Sequence, residues 1–253
     1  MASKVAIVTG ATGGLGEAIA RRLAQDGIAV VLSGRRDAEG QEAARKIAEE
    51  TGTETHFVRA DIGQAEDCLR LVSEARTRFG RVDILVNNAA ELAQSPWEEL
   101  TVEQWDAAYA ANVRAPWLLS RACAPLMREA GGGSIVNIGT TMNYKGGSLD
   151  RVAYSTSKGA LLTLTKSLAS QLIRDKIRVN YVIVGWMATP QEKELRDKTH
   201  GDGEKFLRET GEKRPLGRHE TPEDIAHGVA YLVSDSASHV TACELNISGG
   251  LLI

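Results

Sequence analysis

Cysteine is scarce in this chain of 253 residues: Cys68, Cys123 and Cys243 lie far apart, and their number is odd. This usage indicates reduced thiols in a cytoplasmic protein rather than a disulfide framework. No Cys-x-x-Cys or His-Glu-x-x-His spacing is present, so we expect no metal site. A chain of this length buries a sizeable core and needs neither disulfides nor a structural metal for stability.

Long apolar runs and an excess of one charge are also missing. The longest uncharged apolar stretches, such as residues 181–188, fall far short of the roughly 20 residues that span a bilayer. The first residues lead into a predicted strand without the hydrophobic region of a signal peptide. Lys and Arg number 30 against 33 Asp and Glu, giving a net charge of −3, which argues against a nucleic-acid-binding protein. We expect a cytoplasmic protein that binds neither membranes nor nucleic acids.

Short runs of branched apolar residues alternate with longer amphipathic segments. Strands are predicted at residues 5–9, 29–33, 56–59, 82–86, 134–138, 177–182 and 244–247. Helices are predicted near residues 14–26, 38–50, 66–79, 102–128, 150–173 and 222–232. Strands that are apolar on both faces and separated by helices indicate a parallel sheet covered on each side, in a doubly wound α/β fold. No linker or repeat divides the chain, so residues 1–253 are predicted to form one domain.

The segment 191–214 differs from the rest of the second half. It holds seven Lys or Arg and seven Asp or Glu among 24 residues, together with Gly201 and Gly203. One interpretation is a solvated surface excursion. The other is a mobile lid over a substrate site, because long charged insertions in compact domains are often functional.

The segment from Thr9 to Gly16 lies between the first predicted strand and the first predicted helix. Its glycines allow a tight turn, and the helix N-terminus that follows presents free N–H groups to an anion. The glycine spacing is G-x-x-x-G-x-G rather than the commoner G-x-G-x-x-G. At this position it indicates a dinucleotide phosphate site, for which the candidate residues are Gly10, Thr12, Gly13, Gly14, Leu15 and Gly16.

The end of the second predicted strand indicates which nicotinamide dinucleotide the chain binds. An acidic residue there would accept hydrogen bonds from the 2′-hydroxyl of NAD(H), whereas arginine suits the 2′-phosphate of NADP(H). Here Arg35 and Arg36 follow Gly34, and the first carboxylate is Asp37. We therefore predict NADP(H). The alternative is that both arginines are simply solvated and that NAD(H) is the cofactor.

Tyr154 and Lys158 stand four residues apart in a predicted helix, which places a phenol and an ammonium on one face. A free tyrosine titrates near 10, too high for a base at neutral pH. A cation about 4 Å away at an effective dielectric of about 20 supplies roughly 4 kcal/mol, or about three pKa units. The pair therefore predicts that Lys158 makes Tyr154 a proton-transfer group.

Further motifs follow along the chain: Asp61-Ile62, Asn87-Asn88-Ala89, Asn112, Arg178-Val179-Asn180, Gly185 with Thr189, and Gly249-Gly250. In this order and spacing, the motifs resemble those of the classical short-chain dehydrogenases/reductases over essentially the whole chain. The resemblance implies a Rossmann-type sheet of about seven strands. It also implies reversible hydride transfer between NAD(P)(H) and an alcohol or carbonyl compound.

The same resemblance implies roles for individual residues. Tyr154 would be the general acid/base, Lys158 would lower its pKa and hold the nicotinamide ribose, and Asn112 would anchor a water in the proton relay. The implied cofactor contacts are Asp61 and Ile62 at the adenine, Asn88 and Ala89 at the ribose, and Gly185, Met187 and Thr189 at the nicotinamide carboxamide.

One departure from the family pattern concerns the usual catalytic serine, because threonine stands in its place. Alignment on the strand 135–138 selects Thr140, whereas counting back thirteen residues from Tyr154 selects Thr141. A threonine hydroxyl can form the same hydrogen bond, although its methyl group narrows the pocket. We prefer Thr140, because the strand fixes its register.

The substrate is predicted to be a secondary alcohol or ketone. Candidate pocket residues that could hydrogen-bond a polyhydroxy compound or hydroxyketone, or flank its chain, are Glu91, Thr141, Asn143, Tyr144 and Trp186. The alternatives are a redox-sensing dinucleotide-binding protein without turnover, an NAD-preferring dehydrogenase, and an enoyl reductase or epimerase of the same superfamily. Family members usually assemble as tetramers, and the apolar arc of the helix 152–173 predicts a homotetramer or homodimer here.

Overall fold

The computed structural model describes residues 4–145 and 150–252. Seven parallel strands form one sheet in the order β3-β2-β1-β4-β5-β6-β7. They are β1 (Val5–Thr9), β2 (Ala29–Gly34), β3 (Thr55–Arg59), β4 (Ile84–Asn87), β5 (Gly133–Ile138), β6 (Ile177–Val184) and β7 (Glu244–Ile247). The predicted α/β fold with a parallel, doubly wound sheet of about seven strands is therefore confirmed.

Helices cover both faces of this sheet. They are α1 (Gly14–Gln25), α2 (Asp37–Thr51), α3 (Ala65–Phe79), α4 (Val102–Tyr109), α5 (Ala115–Glu129), α6 (Met142–Lys145), α7 (Val152–Leu172), α8 (Pro190–His200), α9 (Gly203–Glu212) and α10 (Pro222–Val233). One apolar core packs α1, α2 and α10 against the sheet. A second core packs α3, α5 and α7 against the opposite face.

The strand sequences explain why both faces are covered. Val8 of β1 packs into the first core, whereas its neighbour Ile7 packs into the second. All five residues of β1 are buried, as expected for a parallel strand with helices on each side. The continuous apolar runs that predicted these strands are therefore the result of two-sided burial.

The predicted helix over residues 102–128 contains a feature that its sequence did not indicate. A π-helical turn spans Ala110–Arg114 and joins α4 to α5. Such wide turns are uncommon and are often found at functional sites. The turn carries Asn112, whose side chain is fully buried.

The charged segment 191–214 folds as two helices, α8 and α9, which the sequence analysis did not predict. Opposite charges pair one helical turn apart along α8, which stabilises a helix with a polar surface. Three such pairs form within 3.1 Å, namely Glu192–Arg196, Lys193–Asp197 and Glu194–Lys198. The Thr189 hydroxyl caps the start of α8, and the Asp202 carboxylate caps the start of α9.

The parallel sheet brings the predicted site residues to one edge. Thr9, Gly34, Asn87, Ile138 and Val184 are the last residues of five neighbouring strands, so the loops that follow them share one end of the molecule. Ligands of open α/β sheets bind at this carboxyl end. Among the described helices, none combines the length and the hydropathy needed to cross a bilayer.

Candidate active site

The glycine segment between β1 and α1 forms a cradle that only glycine can build. Gly10 and Gly14 adopt left-handed conformations with φ of 65° and 56°, which side chains disfavour. A Cβ atom on Gly16 would lie 2.2 Å from the carbonyl oxygen of Gly10. No side chain caps the start of α1 at Gly13, so the helix N-terminus stays open to an anion.

Thr9 and Asn88 lock the cradle to the loop after β4. The Thr9 hydroxyl accepts hydrogen bonds from the backbone N–H groups of Asn88 and Ala89, each at 3.1 Å. The Asn88 amide donates to the carbonyl oxygens of Thr9 at 2.9 Å and Gly10 at 3.2 Å. Both of its N–H groups are therefore used for bracing, and only its carbonyl oxygen remains for a ribose hydroxyl.

A cleft of about 320 Å³ opens beside this cradle. It brings together most of the residues predicted for the adenosine half of a dinucleotide, namely Gly10, Thr12, Arg35, Arg36, Asp61, Ile62, Asn88 and Ala89. Glu91, predicted as a substrate residue, lines the same cleft. The carboxylate of Asp61 accepts the N–H of Gly63 at 3.0 Å, which leaves its second oxygen for a ligand.

The two predicted arginines differ in their contacts. Arg36 donates to the backbone oxygen and the hydroxyl of Thr12, at 3.2 and 2.9 Å, and faces Glu39 at 3.8 Å. No carboxylate of the described residues lies within 4 Å of the Arg35 guanidinium. Arg36 therefore supports the cradle, and Arg35 is the arginine that is free to bind an added phosphate.

A second depression adjoins the cleft and contains a residue that sequence reasoning missed. It is lined by Arg35, Arg59, Asp61, Asp67 and Arg70. Arg70 is neutralised by Asp67 at 2.8 Å and Glu74 at 2.9 Å. Arg59 has no carboxylate within 4 Å among the described residues. Only the position of Arg59 could have indicated it: Arg59 is the last residue of β3 and pairs in register with Gly34 of β2.

Tyr154 and Lys158 lie on one face of α7, as predicted, with the Lys158 ammonium 5.9 Å from the centre of the Tyr154 ring. The Thr140 hydroxyl hydrogen-bonds the Tyr154 phenol and accepts the backbone N–H of Met142 at 3.2 Å. The N–H of Thr141, by contrast, donates to the Val184 carbonyl at 3.0 Å. Of the two threonines, Thr140 is therefore the one that contacts the phenol.

The titration behaviour of this pair differs from the sequence-based expectation. Burial raises the pKa of Tyr154, and the hydrogen bond from Thr140 and the charge of Arg151 only partly oppose this. Burial also lowers the pKa of Lys158 to about 8. The expected lowering of the tyrosine pKa by Lys158 is not present here, because the ammonium is itself desolvated and donates to the Ile138 carbonyl at 2.7 Å. Tyr154 is therefore a neutral phenol at pH 7.

Asn112 lies in the π turn and connects this turn to α7. Its carbonyl oxygen accepts the N–H of Glu91 at 2.8 Å. Its amide donates to the carbonyl of Glu91 at 2.8 Å and to the hydroxyl of Ser157 at 2.9 Å. Both side-chain N–H groups are used in this way, so a relay water would bind through an oxygen of Asn112 and not through its amide N–H.

The segment predicted for the nicotinamide carboxamide runs beside Glu220. A Cβ atom on Gly185 would lie 2.5 Å from the Glu220 carboxylate, and Met187 forms a β-bridge with Glu220. Thr189 accepts the N–H of Glu192 at 3.1 Å and still has its hydroxyl proton to donate. Glu220 was not predicted. It is buried, one of its carboxylate oxygens has no hydrogen-bond partner in the part of the chain that the structure describes, and burial raises its pKa.

The side chains of two predicted substrate residues form hydrogen bonds with side chains of the sheet. The hydroxyl of Tyr144 hydrogen-bonds the carboxylate of Glu244 on β7, and the Tyr144 side chain is 44% exposed. The Asn143 amide donates to the hydroxyl of Tyr181 on β6 at 2.8 Å. The Tyr144 hydroxyl thus donates its proton to Glu244, and its role toward a substrate stays a prediction.

Trp186 ties the loop after β6 to the helices α8 and α9. Its indole N–H donates to Glu192 at 2.8 Å. The guanidinium groups of Arg196 and Arg214 lie 5.2 and 5.1 Å from its ring, within the range of a cation–π contact. Phe206 of α9 packs edge-on at 6.2 Å. The indole thus anchors the helix pair.

Comparison with known proteins identifies related reductases. A family model described as enoyl-(acyl carrier protein) reductase matches residues 10–252. Dehydrogenase/reductase SDR family member 4 of Homo sapiens is 40% identical over 259 residues, which cover 99% of this chain and 88% of that protein.

Solved structures of reductases superpose closely on this chain. L-sorbose reductase from Gluconobacter frateurii, in complex with NADPH and L-sorbose, superposes with a TM-score of 0.94 at 32% identity and covers 100% of this chain and 97% of that one. An actinorhodin polyketide ketoreductase variant with NADPH superposes with a TM-score of 0.91 at 34% identity, covering 99% and 97% of the two chains.

The buried ammonium of Lys158 predicts an unusual stability effect. Its pKa is lowered below the unfolded value, so the folded state carries the full desolvation penalty below about pH 8 and is relieved of it as the pH rises toward 10.5. We expect Lys158→Met to raise the free energy of unfolding by about 1 to 3 kcal/mol at pH 7. This gain should shrink at pH 10, as measured by urea unfolding at both pH values.

Lys166→Met is the matched control, because Lys166 lies on the same helix but is about half exposed and pairs with Glu244 at 2.6 Å. We expect its effect to stay within about 0.5 kcal/mol at either pH. A Lys158→Met variant that is less stable than the parent at pH 7 would contradict the assignment of a destabilising buried charge.

Proposed function

The chain belongs to the classical short-chain dehydrogenases/reductases, and we propose that it uses NADP(H) to reduce a small hydroxyketone or polyhydroxy ketone to a secondary alcohol. The observation that carries this proposal is the contact between Thr140 and Tyr154 beside the buried ammonium of Lys158, at the edge of the sheet where the glycine cradle opens. The enzyme is an NAD(P)-dependent dehydrogenase/reductase by family; its cofactor preference and its substrate are the proposal.

The preference for NADP(H) is supported by the charges around the end of β2. Within the described ranges, no carboxylate lies within 4 Å of the guanidinium group of Arg35 or of Arg59, and both residues line the same depression. Two such guanidinium groups suit a 2′-phosphate, which accepts charge-assisted hydrogen bonds. Gly34 leaves no side chain at the position where an acidic residue would bind the 2′-hydroxyl of NAD(H).

Each residue of the site has a separate role in carbonyl reduction. When bound, the dinucleotide supplies the hydride. Tyr154 donates its phenolic proton to the oxygen that develops negative charge, and the hydroxyl of Thr140 hydrogen-bonds the phenol. Lys158, with a pKa of about 8, is charged at neutral pH and stabilises negative charge nearby.

The protonation state of Tyr154 favours the reductive direction. A phenol whose pKa is raised keeps its proton throughout the neutral range, and a neutral phenol is the form that acts as a general acid. Alcohol oxidation would require the phenolate, which becomes available only at alkaline pH. The burial of Tyr154 therefore supports reduction as the direction at neutral pH.

The substrate class is supported by a polar group near the catalytic residues. The side-chain oxygen of Asn143 is buried and has no hydrogen-bond partner among the described residues. An acceptor of this kind suits a hydroxyl group next to a ketone. The solved reductase with L-sorbose shows that a structure of this fold at 32% identity accommodates a polyhydroxy ketone. We propose residues 191–214 as the lid, anchored to the site through Trp186.

The competing hypothesis is a redox-sensing protein without turnover. Such a protein needs a dinucleotide cleft but no proton donor, whereas this chain holds Thr140 and Tyr154 in hydrogen-bond contact. The spacing of Tyr154 and Lys158 also fits a dehydrogenase better than an enoyl reductase. An NAD-preferring dehydrogenase is an outcome of the experiment below.

The cofactor and the substrate class are tested by initial rates at 340 nm with NADPH and with NADH. The panel contains acetoin, L-sorbose, simple ketones and an enoyl thioester, with the matching alcohols in the reverse direction. We expect kcat/KM to be at least about tenfold higher with NADPH, because the 2′-phosphate adds charge-assisted hydrogen bonds. Hydroxyketones should be reduced faster than simple ketones. Turnover of the enoyl thioester alone, or of nothing, would refute the proposed activity.

Arg35→Ser isolates the contribution of the free arginine. It should lower kcat/KM with NADPH about tenfold or more and change the value with NADH by less than about twofold. Arg78→Ser is the control, since Arg78 is an exposed arginine on α3 that pairs with Glu54 at 2.7 Å. A tenfold preference for NADH in the parent protein would overturn the NADP(H) proposal.

We also propose that the chain forms a homodimer or homotetramer in the cytoplasm. Trp117 on α5 is 42% exposed and Ile173 after α7 is 46% exposed, so the helical layer that contains α5 and α7 offers apolar groups to a second copy. Light scattering should give a multiple of 27.2 kDa; a single 27.2 kDa species would contradict assembly. Cys68 and Cys123 are free and buried, which supports the cytoplasmic location, and cell fractionation tests it.

A further inference from the structure

We infer that Tyr181 is a positioning residue that holds Thr140 in contact with Tyr154. The inference rests on the proposed function, because it assigns Tyr181 a part in the same proton donation. Tyr181 lies on β6, was not among the predicted site residues, and its side chain is 0% exposed. It packs with Leu161 of α7 and Ile183 of β6. These contacts are apolar, so packing does not explain why this side chain carries a hydroxyl.

The phenolic hydroxyl of Tyr181 contacts both α7 and the segment that follows β5. It donates to the carbonyl of Lys158 at 3.2 Å and accepts the Asn143 amide at 2.8 Å. The backbone of Thr140 also favours the ionised form of this phenol. A phenol has one proton and two acceptor positions, and its proton and one acceptor position are used for these two hydrogen bonds.

The Tyr181 ring fixes the same loop by shape. A Cβ atom on Gly139 would lie 1.9 Å from the ring carbon that carries the hydroxyl and 2.2 Å from the hydroxyl oxygen. The loop backbone therefore passes directly over the phenol. Gly139 donates to the Val182 carbonyl at 2.8 Å, and Thr141 donates to the Val184 carbonyl at 3.0 Å. These backbone bonds hold the residues on either side of Thr140, and the Tyr181 ring lies directly against Gly139.

The orientation of the Thr140 hydroxyl follows from this arrangement. Its oxygen accepts the N–H of Met142 at 3.2 Å, which leaves its proton for the phenol of Tyr154. That geometry depends on the backbone from 139 to 143, whose two ends contact Tyr181 through Gly139 and Asn143. A phenylalanine at position 181 would fill the same volume but would leave the Asn143 amide without its acceptor and the Lys158 carbonyl without this donor.

The hydroxyl acts through Thr140, because the described contacts of Tyr181 are with protein groups and its side chain is not exposed to the cleft. Burial also raises the pKa of Tyr181, so this phenol stays neutral while Tyr154 donates its proton. A purely structural tyrosine would affect stability only. A positioning residue must in addition change the proton chemistry of Tyr154.

The test compares Tyr181→Phe, Thr140→Ala and the double variant by two readouts. The first is kcat and KM for the ketone reduced best by the parent enzyme. The second needs no turnover: the ¹³C NMR signal of the ring carbon bearing the hydroxyl of Tyr154, assigned by its loss in Tyr154→Phe, is followed against pH. Thr165→Val is the control. It also removes a buried hydroxyl, but this one lies on α7 and accepts a hydrogen bond from the Asn137 amide at 2.8 Å.

We expect Tyr181→Phe to lower kcat about tenfold with KM changed less than about threefold, because transition-state and not ground-state contacts are lost. The inflection of the Tyr154 titration curve should move to higher pH, because the hydrogen bond from Thr140 lowers the pKa of Tyr154. In the Thr140→Ala background, Tyr181→Phe should add less than about twofold to either effect. Thr165→Val should lower the unfolding midpoint without changing kcat or the inflection.

The inference is overturned if Tyr181→Phe leaves kcat within about twofold and the Tyr154 inflection unmoved. It is equally overturned if the effects of Tyr181→Phe and Thr140→Ala multiply, because Tyr181 would then act independently of Thr140. If the parent protein reduces no ketone, the proposed function fails. The NMR inflections in the single and double variants still decide the role of Tyr181.

Discussion

The site depends on a buried ammonium group that donates a hydrogen bond to a main-chain carbonyl. Lys158 is 2% exposed, has no carboxylate within 4 Å among the described residues, and donates to the last carbonyl of β5 at 2.7 Å. Burial of a cation with so little compensation destabilises the fold. The surrounding sheet and helices must therefore fix Lys158 in place.

The same rigidity explains how distant parts of the chain form one site. Parallel strands end at one edge, so the loops after β1, β2, β4, β5 and β6 meet there. Side chains then connect these loops: Asn88 joins the glycine cradle to β4, Asn112 joins the loop after β4 to α7, and Tyr181 joins β6 to the loop after β5. Each connection uses groups that would otherwise be buried without partners.

Much of the fold was predictable from local patterns, because apolar runs, glycine spacing and the four-residue spacing of Tyr154 and Lys158 reflect contacts within one element or its neighbour. The π turn, the helices α8 and α9 and the pKa of Tyr154 were not. A π turn is fixed by the tertiary contacts of Asn112. A pKa depends on how completely a group is desolvated, which no sequence spacing reports. Arg59 and Tyr181 became visible only once the strand register was known.

The central claim is that Tyr154 donates the proton that completes carbonyl reduction. The most direct measurement follows deuterium from NADPH labelled at its reactive carbon into the alcohol product, in the parent enzyme and in Tyr154→Phe. The account predicts one deuterium per turnover in the parent. It also predicts a loss of about 100- to 10,000-fold in rate for the variant, with NADPH still bound. A folded, NADPH-loaded Tyr154→Phe variant that transfers deuterium within tenfold of the parent rate would contradict it.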